Sequence, residues 1–442
     1  MITINDPITF QDKLPSEVDV VIIGAGIIGI STAWFLSQSG ISVLVCEKGR
    51  VSAEQSSRNW GWVRQQGRDA AELPVMMESA RIWEAIAEEV GDEVGYQKTG
   101  VMYLARTKKE LANYEKWINT AQLHQLDSYI LSATELKEKL GNSAKHWKGG
   151  LSTPSDGRAE PFTAVPAIAR KLQSEGVSIR ENCAVRTLDI EGGIVKGVVT
   201  ENGRVKAQSV VCAGGAWSTA FLGNHGINLP QLTVRSTVAR SAPAPNFYNG
   251  AAAGGRIAFR RRQDGGYTIA PGGYTEHYPC ADTFKYMFKF LPALIQTASH
   301  LRLNFGDDLI RRLLPRRKWS SDEVTLFEKN RILNPDPSPS AIKRMRQGLK
   351  KHVSELADVP FVETWAGMID TTPDVVPVMD SISEYPGLFL ATGFSGHGFG
   401  IGPAAGKIMS ELVQGIKPGH DMKRFRLSRF SDGSPMNPGP GL

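Results

Sequence analysis

Cysteine is scarce in this sequence. The chain of 442 residues has 4 cysteines, which form neither a CxxC pair nor a cluster with histidine. Closely spaced cysteines are what structural zinc sites and disulfide frameworks require. We therefore expect a reduced protein that holds no metal and is located in the cytoplasm.

The chain also has no strong excess of positive or negative charge. Lysine and arginine total 51 against 45 acidic residues, so the net charge is only +6, and both signs are mixed along the chain. Nucleic-acid-binding proteins instead concentrate positive charge on one face. We expect no nucleic-acid partner. The basic run Arg311–Lys318 is either a solvated surface or, at most, a peripheral contact for a membrane or an electron acceptor.

Hydrophobic runs suited to a membrane are missing as well. The most apolar segment, Val20–Leu36, is short for a span and contains three glycines. The opening residues Met1–Ser16 include two aspartates and lack the apolar core of a signal peptide. We expect no spanning segment, and we expect the proline-rich residues 434–442 to form a flexible tail.

The apolar segment predicts a strand, a glycine-rich turn and a helix. The strand is Val20–Ile23 and the helix is Ile27–Ser39. Gly24 allows the tight turn, Gly26 lets a pyrophosphate approach the backbone, and Gly29 lets helix and strand pack closely. Free N–H groups at the start of the helix favour an anion. The spacing therefore predicts a dinucleotide-binding unit.

An acidic residue follows the next predicted strand at the distance that this unit requires. The strand is Ile41–Cys46, and Glu47 comes 18 residues after Gly29. A carboxylate at this position accepts a hydrogen bond from a ribose 2′-hydroxyl and disfavours a 2′-phosphate. The dinucleotide is thus expected to be FAD or NAD rather than NADP.

The pattern that follows is more complex than a nicotinamide domain needs. Predicted helices are Val75–Val90, Lys108–Leu123 and Phe162–Glu175, and predicted strands are Gly100–Ala105, Val177–Val185, Leu188–Val195 and Val198–Val205. Turns are predicted at Glu191–Gly193 and Glu201–Gly203, and a further apolar strand ends at Ala213-Gly214-Gly215, just before Trp217. This order is typical of large flavoproteins whose nucleotide domain is built from separate segments.

A second strand, glycine-rich turn and helix lie near the C-terminus. They are preceded by extended stretches, Gln231–Arg240 and Arg256–Ala270, and by a polar helical region from 282 to 353. The turn Gly396–Gly400 leads into a predicted helix Ala404–Leu412. The start of such a helix can stabilise the anionic pyrimidine edge of a reduced flavin. His397 is either an ordinary turn residue or a cofactor contact, which its neighbouring glycines favour.

Four of these segments resemble the FAD-dependent amino-acid and amine oxidoreductases related to D-amino acid oxidase, glycine oxidase and sarcosine oxidase. They are Val20–Ser31, Gln55–Gly61, Val210–Ser218 and Trp365–Gly406. Within that group the chain is most similar to bacterial L-amino acid deaminases. Unlike them, it is expected to have no N-terminal membrane anchor, because Met1–Ser16 contain no long apolar run.

The resemblance implies a mixed α/β and α+β fold in two domains. A discontinuous Rossmann-like FAD domain comprises residues 1–95, 151–228 and 355–433. A substrate domain of antiparallel sheet and helices comprises 96–150 and 229–354, including a helical insertion at about 282–353.

The resemblance also implies a set of FAD-binding residues. They are Gly24, Gly26, Ile27, Ile28, Gly29, Glu47, Lys48, Ser56, Ser57, Arg58, Asn59, Gly61, Trp62, Val185, Ala213, Gly214, Trp217, Gly367, Gly396, His397, Gly398, Phe399, Gly400 and Ile401. Sarcosine oxidases attach flavin to a cysteine near the position of Gly367, but Phe361–Asp374 has no cysteine, so FAD is expected to bind non-covalently.

The implied reaction is hydride transfer from the carbon that bears a neutral amine to flavin N5. The resulting imine hydrolyses to an oxo product and ammonia or an amine, and oxygen or a respiratory quinone takes up the electrons. Such a reaction depends on orientation and a deprotonated amine, so we assign no general base.

The predicted substrate-binding residues differ from those of the deaminases. They hold the substrate carboxylate with an arginine just after the segment matching Tyr267–Pro271, where this chain has Gly272, and Trp62 replaces a flavin-lining glutamine. In an extended Trp62–Gln66 segment, alternation places Trp62, Arg64 and Gln66 on one side, and Gln66 is predicted to contact the substrate. Arg64 is therefore predicted to replace the missing anchor, the alternatives being a salt bridge or an FAD contact. The other predicted substrate residues are Arg260, Tyr267 and Asp370.

Two other classes of protein remain as alternatives. A nicotinamide dehydrogenase would leave the segments Ala213–Gly215 and Gly396–Gly400 without a role. A non-catalytic flavin-binding module could instead dock to a partner through the basic insertion. An oxidase acting on amines without a carboxylate, or on N-substituted amino acids, would share the flavin machinery.

Overall fold

Strands arranged in two large sheets and one small sheet form the frame of the molecule. The computed structural model describes residues 1–306, 309–314 and 317–440. The strands are β1 (Glu17–Ile23), β2 (Val43–Cys46), β3 (Trp62–Val63), β4 (Gln97–Lys98), β5 (Val101–Ala105), β6 (Tyr129–Leu131), β7 (Gly149–Thr153), β8 (Gly157–Arg158), β9 (Ser178–Arg180), β10 (Val185–Glu191), β11 (Ile194–Thr200), β12 (Gly203–Cys212), β13 (Leu232–Ser241), β14 (Ala251–Gly254), β15 (Ile257–Arg261), β16 (Tyr267–Pro271), β17 (Thr275–His277), β18 (Leu301–Leu303), β19 (Phe361–Thr371), β20 (Val378–Ser381) and β21 (Leu388–Thr392).

Helices pack on the faces of these sheets. They are α1 (Ile27–Gln38), α2 (Gln55–Arg58), α3 (Glu72–Val90), α4 (Lys108–Leu123), α5 (Ala133–Leu140), α6 (Ala164–Ser174), α7 (Ser218–Asn224), α8 (Ala281–Lys285), α9 (Met287–Thr297), α10 (Leu309–Leu313), α11 (Leu326–Lys329), α12 (Pro339–His352) and α13 (Gly398–Val413).

The first large sheet has a parallel centre. Strands β21, β12, β1, β2 and β9 run parallel in that order, and β10 and β11 extend the sheet as an antiparallel meander beside β12. Apolar residues of α1, α3, α6 and α13 pack against one face of the sheet in a single core cluster. This is the expected Rossmann-like arrangement, and it places the β1–α1 turn at the carboxyl edge of the sheet.

The second large sheet is mixed and has the order β18-β17-β13-β16-β15-β14-β5-β7-β6, with β19 also paired to β13. The pairing of β13 with β19 is antiparallel and runs from Leu232–Thr371 to Ser241–Phe361. Because β19 belongs to this sheet, residues 355–433 contribute to both sheets. The predicted fold class, a Rossmann-like unit joined to a largely antiparallel sheet with helices, is confirmed.

The predicted strand Val177–Val185 is wrong because the backbone turns inside it. Residues Val177–Val185 do not form one strand: β9 ends at Arg180, and Asn182 adopts a left-handed backbone with φ of 48° before β10 begins. The stretch Arg256–Ala270 is a hairpin of β15 and β16, and its loop includes Gly265 at φ 81°.

The predicted glycine turns after β10 and β11 are in place, but the flanking strands are shifted. The strand predicted at Leu188–Val195 ends at Glu191, and that predicted at Val198–Val205 is interrupted between Thr200 and Gly203. The turn uses Gly192 at φ 58°.

Helix α13 starts at Gly398, six residues before the predicted helix Ala404–Leu412. Its glycines suggest a loop, yet a Cβ at Gly402 would lie 2.6 Å from Ile27 Cγ1 of α1. Close packing of two helices therefore explains a glycine-rich helix start that propensity alone disfavours.

The region from 282 to 353 is less helical than predicted. Helices α8 to α12 alternate with β18 and with long irregular connections. Residues 315 and 316 of the basic run Arg311–Lys318 lie outside the described part of the chain. Among the described residues, no helix combines the length and apolar character needed to cross a membrane.

The C-terminal residues 434–440 lie against the body of the molecule. Arg424 Nη2 donates to the carbonyl of Asn437 at 3.1 Å, and Gln296 Nε2 donates to the carbonyl of Gly439 at 2.9 Å. Residues 441 and 442 are outside the described range. The flexibility expected of this tail stays a prediction.

Candidate active site

The β1–α1 turn is crowded at two of its three glycines. A Cβ at Gly24, where φ is +102°, would lie 2.7 Å from the carbonyl oxygen of Ala213, and a Cβ at Gly29 would lie 2.0 Å from that of Gly24. At Gly26 the nearest atom to such a Cβ is Ser56 Oγ, at 3.1 Å. Glycine is thus required at 24 and 29 by the backbone itself, while the turn at Gly26 faces a hydroxyl.

Polar groups surround the start of α1. The N-cap residue of this helix, Gly26, has no side chain, and Ile27 N donates instead to Ser56 Oγ at 2.8 Å. Glu47 accepts hydrogen bonds from Ala25 N at 2.9 Å and from Gly49 N at 2.8 Å, while burial raises the pKa of its carboxyl. Glu47 therefore supports the turn directly. Its predicted ribose contact stays a prediction.

A cavity of about 850 Å³ opens at this turn and extends to the second sheet. Most of the residues predicted from the sequence line it: Gly24, Gly26, Ile27, Ile28, Glu47, Lys48, Ser56, Arg58, Asn59, Trp62, Arg64, Val185, Ala213, Gly214, Trp217, Asp370, Gly396, His397, Gly398 and Phe399. Segments far apart in the sequence thus meet around one space, which is large enough for a cofactor and a small substrate.

The other predicted residues do not line the cavity: Gly29, Ser57, Gly61, Gly367, Gly400, Ile401, Gln66, Arg260 and Tyr267. Arg260 is buried and pairs with Glu160 at 2.9 Å. The hydroxyl of Tyr267 donates to the carbonyl of Tyr248 at 3.1 Å. These two side chains support the second sheet.

The predicted extended segment Trp62–Gln66 is wrong beyond Val63, where β3 ends. The carboxylate of Asp156 accepts the backbone N–H groups of Gln65 at 2.6 Å and of Gln66 at 3.2 Å, so the chain turns. Gln66 is fully buried and accepts a hydrogen bond from Thr153 Oγ1 at 3.0 Å. Alternation therefore fails, and Arg64 reaches the cavity without Gln66.

Several predicted residues hold the cavity walls together. Trp217 Nε1 donates to Glu54 Oε1 at 2.9 Å, and Lys48 Nζ pairs with the same oxygen at 2.6 Å. Arg58 Nη1 donates to the carbonyl of Ala366 at 2.8 Å. Asp370 Oδ2 accepts from Gly393 N at 2.8 Å, and burial raises the pKa of this carboxyl.

His397 is the residue just before α13, and its side chain contacts a buried acid that sequence reasoning missed. Its Nδ1 lies 3.1 Å from Oε2 of Glu72, whose side chain is 1% exposed. Burial lowers the pKa of His397 to about 4, while His397 and nearby arginines lower that of Glu72 against the effect of burial. Because His397 is neutral at pH 7, its Nδ1–H donates to an ionised Glu72.

Two arginines from the turn between β3 and α3 face the same end of the cavity. The guanidinium of Arg64 lies 5.5 Å from the ring centre of Tyr103 on β5, and Arg64 Nη1 donates to the carbonyl of Gln66. Arg68, which sequence reasoning also missed, lines the cavity and is 2% exposed. The only sequence signal for Arg68 and Glu72 was their charge within a short polar turn.

The described part of the chain contains no group of three histidine, cysteine or acidic side chains placed to hold a metal ion. All four cysteines are free thiols, and Cys46, Cys183 and Cys212 line the cavity. They lie on the strands of the first sheet or just before β10.

Comparison with known proteins agrees with this geometry. The solved structure of an L-amino acid deaminase from Proteus myxofaciens is 32% identical, with a TM-score of 0.92 over 96% of both chains. Peroxisomal sarcosine oxidase of Homo sapiens is 24% identical over 93% of this chain and 96% of its own length. Mitochondrial sarcosine dehydrogenase of Homo sapiens is 23% identical, but the chain spans only 42% of its length.

A family model covers most of the molecule. Residues 19–412 match the model described as DAO, FAD dependent oxidoreductase. The matched range includes the β1–α1 turn, the Arg64–Glu72 turn and α13, so every wall of the cavity falls within it except part of the C-terminal segment. This chain is a member of the DAO family of FAD-dependent oxidoreductases, enzymes that include amino-acid and amine oxidases, dehydrogenases and deaminases.

Proposed function

We propose that the cavity holds FAD without a covalent bond and that the enzyme uses this FAD to oxidise the C–N bond of an amino acid. The observation that carries this proposal is the convergence of the β1–α1 turn, Glu47 and the start of α13 on one cavity. Bare backbone at Gly24 and Gly26 fits a bulky, anionic group, and no cysteine stands on β19 to attach it.

Different residues of this chain would bind different parts of FAD. N–H groups at the start of α1 and the hydroxyl of Ser56 suit the pyrophosphate, and Glu47 suits a ribose hydroxyl. The N-terminus of α13, with His397, presents a positive dipole end to the pyrimidine edge of the flavin. When bound, FAD supplies a hydride acceptor for the carbon that carries the amine.

The substrate is proposed to be an amino acid, with Arg64 at its carboxylate. A planar guanidinium matches a carboxylate, and the aromatic rings of Trp62 and Tyr103 beside it can cover an apolar side chain. The amine must be deprotonated to give up hydride from its carbon, and the imine product is hydrolysed by water. N-substituted amino acids are a second candidate because sarcosine, named in one relative, is an N-methyl amino acid.

Reoxidation of the flavin is proposed to involve oxygen or a quinone. The protein is proposed to be cytoplasmic and to contact membranes at most peripherally.

Apolar side chains on α8 and α9 are unusually exposed, with Phe284 at 61%, Phe288 at 81% and Ile295 at 72%. Gln296 and Thr297, at the end of α9, line the cavity. Co-sedimentation with anionic vesicles, lost at 1 M salt where charges are screened within about 3 Å, is the expected behaviour of the basic run.

The proposed function is tested by anaerobic titration of the purified holoenzyme. Acid precipitation should release the yellow colour into the supernatant, as expected of non-covalent FAD. A panel of D- and L-amino acids, N-methyl amino acids and plain amines should then include compounds that bleach the flavin. If dithionite bleaches the flavin but no compound of the panel does, the proposed function is wrong.

A further inference from the structure

Arg68 is a buried cation without an anionic partner. Its side chain is 2% exposed, and no acidic group lies within ion-pair distance of it among the described residues. Arg68 Nε donates to the carbonyl of Arg64 at 3.2 Å, whereas Nη1 is buried and has no hydrogen-bond partner. A buried charge left unpaired is costly, so this arrangement needs an explanation.

Two other deeply buried arginines of this protein are paired with acids. Arg260, 1% exposed, contacts Glu160 at 2.9 Å, and Arg429, 2% exposed, contacts Asp374 at 2.9 Å. Arg58, also 2% exposed, has no acid and a buried Nη2 without a partner, but it donates to two carbonyls and an amide oxygen. Arg68 has one acceptor and faces the cavity, so its free donors point to a ligand rather than to the fold.

The acids near Arg68 are already engaged. Glu72 contacts Nδ1 of His397 at 3.1 Å, and Asp156 accepts the N–H groups of Gln65 and Gln66. Burial, with the neighbouring charge of Arg64, lowers the pKa of Arg68 to about 10, which still leaves it protonated at pH 7. The positive charge therefore persists in the cavity.

The turn that carries Arg68 is fixed before any ligand arrives. Asp156 holds two of its N–H groups, Thr153 holds Gln66, and Trp117 Nε1 of α4 donates to the carbonyl of Arg68 at 3.3 Å. These contacts come from the helix and strands beside the turn and not from the cavity. The backbone that carries Arg68 is thus fixed in advance, and Nε is held by the carbonyl of Arg64, which favours tight binding of a matching anion.

We propose that Arg68 determines the specificity of this enzyme by binding the acidic group of the substrate, with Arg64 as its second donor. The inference rests on the proposed function, because it concerns the substrate end of the same cavity. Arg64 contacts the ring of Tyr103 and donates to the carbonyl of Gln66, whereas Arg68 has one acceptor, the carbonyl of Arg64, and is almost fully buried. A carboxylate at this position pairs with the buried charge of Arg68, and an amine lacking it leaves the cation unpaired.

Sodium benzoate and neutral benzamide form a matched pair of probes for this proposal. They are titrated into the holoenzyme and followed by the visible absorbance of the bound flavin. In Arg68→Met the Kd for benzoate should rise at least tenfold while that for benzamide stays within twofold. The Kd of Arg68→Lys for benzoate should lie between those of the wild type and Arg68→Met, because lysine keeps the charge but lacks the planar fork of the guanidinium. Arg81→Met, on the exposed face of α3, is the control and should match the wild type.

Thermal unfolding separates ligand binding from a structural role. Benzoate should raise the Tm of the wild type but not that of Arg68→Met, and without benzoate the variant should be no less stable. Equal benzoate affinity in both proteins would overturn the proposal. So would a change in sulfite affinity of the flavin with unchanged benzoate binding, since Arg68 would then serve the cofactor. If Arg68→Met does not fold, Arg68→Lys supplies the same comparison.

The benzoate titration does not depend on turnover. Should no amino acid or amine bleach the flavin, the proposed function fails while the benzoate result still decides whether Arg68 binds a carboxylate. If amino acids bleach the flavin but the Kd for benzoate is the same in the wild type and Arg68→Met, only the inference about Arg68 is wrong.

Discussion

The β1–α1 turn and the Arg64–Glu72 turn line one cavity, but different forces hold them. At the first, backbone atoms meet so closely that a Cβ at Gly29 would lie 2.0 Å from a carbonyl oxygen. At the second, polar partners from distant segments hold the turn: Asp156 accepts backbone N–H groups and His397 contacts Glu72. Steric requirements select glycine at fixed spacing, whereas electrostatic requirements can be met by many residues at many positions.

The largest effect is expected from adding a single methyl group to the first turn. Gly29→Ala forces its Cβ against the carbonyl of Gly24, and overpacking of this kind costs about 1–3 kcal/mol or more. We expect loss of bound FAD together with a lower Tm. Gly223→Ala is the matched control, since this helical glycine has no atom within 4 Å of the added Cβ. Full FAD content in Gly29→Ala would show that the turn is not sterically fixed.

A change in the second turn should affect substrate but not cofactor. Arg64→Ala is expected to lower kcat/KM for the amino-acid substrate by about 3 kcal/mol, because it removes one partner of a desolvated ion pair. FAD content should stay normal, and Arg64→Lys should recover part of the activity. Loss of FAD from Arg64→Ala would instead assign Arg64 to the cofactor shell.

An intermediate case is Glu47, which is a charged residue in the sterically fixed region. Glu47→Ala should weaken FAD retention by about 1.5–3 kcal/mol through loss of charge-assisted hydrogen bonds. Glu47→Gln should retain part of this, since an amide oxygen can still accept from Ala25 N. The measurement is the Kd for FAD by fluorescence quenching, and an unchanged Kd in both variants would contradict the assignment.

The smallest expected effect concerns the pH dependence of His397. Its pKa falls from 6.5 to about 4 in the folded protein, so the unfolded chain takes up the proton first as pH drops. Stability should therefore be lost between about pH 6.5 and 4, and the contribution from this group should reach about 2 kcal/mol at about pH 5. In His397→Asn that decline should be smaller by this amount in urea unfolding. The pKa values of His225 and His352 are also lowered to about 4. Both residues are present in the wild type and in His397→Asn, so their contributions cancel in the comparison.

The nucleotide half of the molecule could be predicted from its sequence because its signals are local. Glycine spacing, a preceding apolar strand and Glu47 specify the β1–α1 unit within 30 residues. The same reasoning located the start of α13 too late, since glycines needed for packing against α1 resemble a loop.

The substrate half could not be predicted in the same way. The alternation argument failed after Val63 because Asp156, about 90 residues away, bends the chain. Arg260 and Tyr267 are buried by partners that the sequence pattern does not reveal. Glu72 and Arg68 look like ordinary surface charges until the fold encloses them.

The most direct test of this account compares two reductants with the same side chain. The holoenzyme is mixed anaerobically with an α-amino acid and, separately, with the amine that lacks its carboxylate. We predict that the amino acid bleaches the flavin at least tenfold faster at equal concentration. Equal rates for the two compounds would contradict a cavity that recognises its substrate through paired arginines.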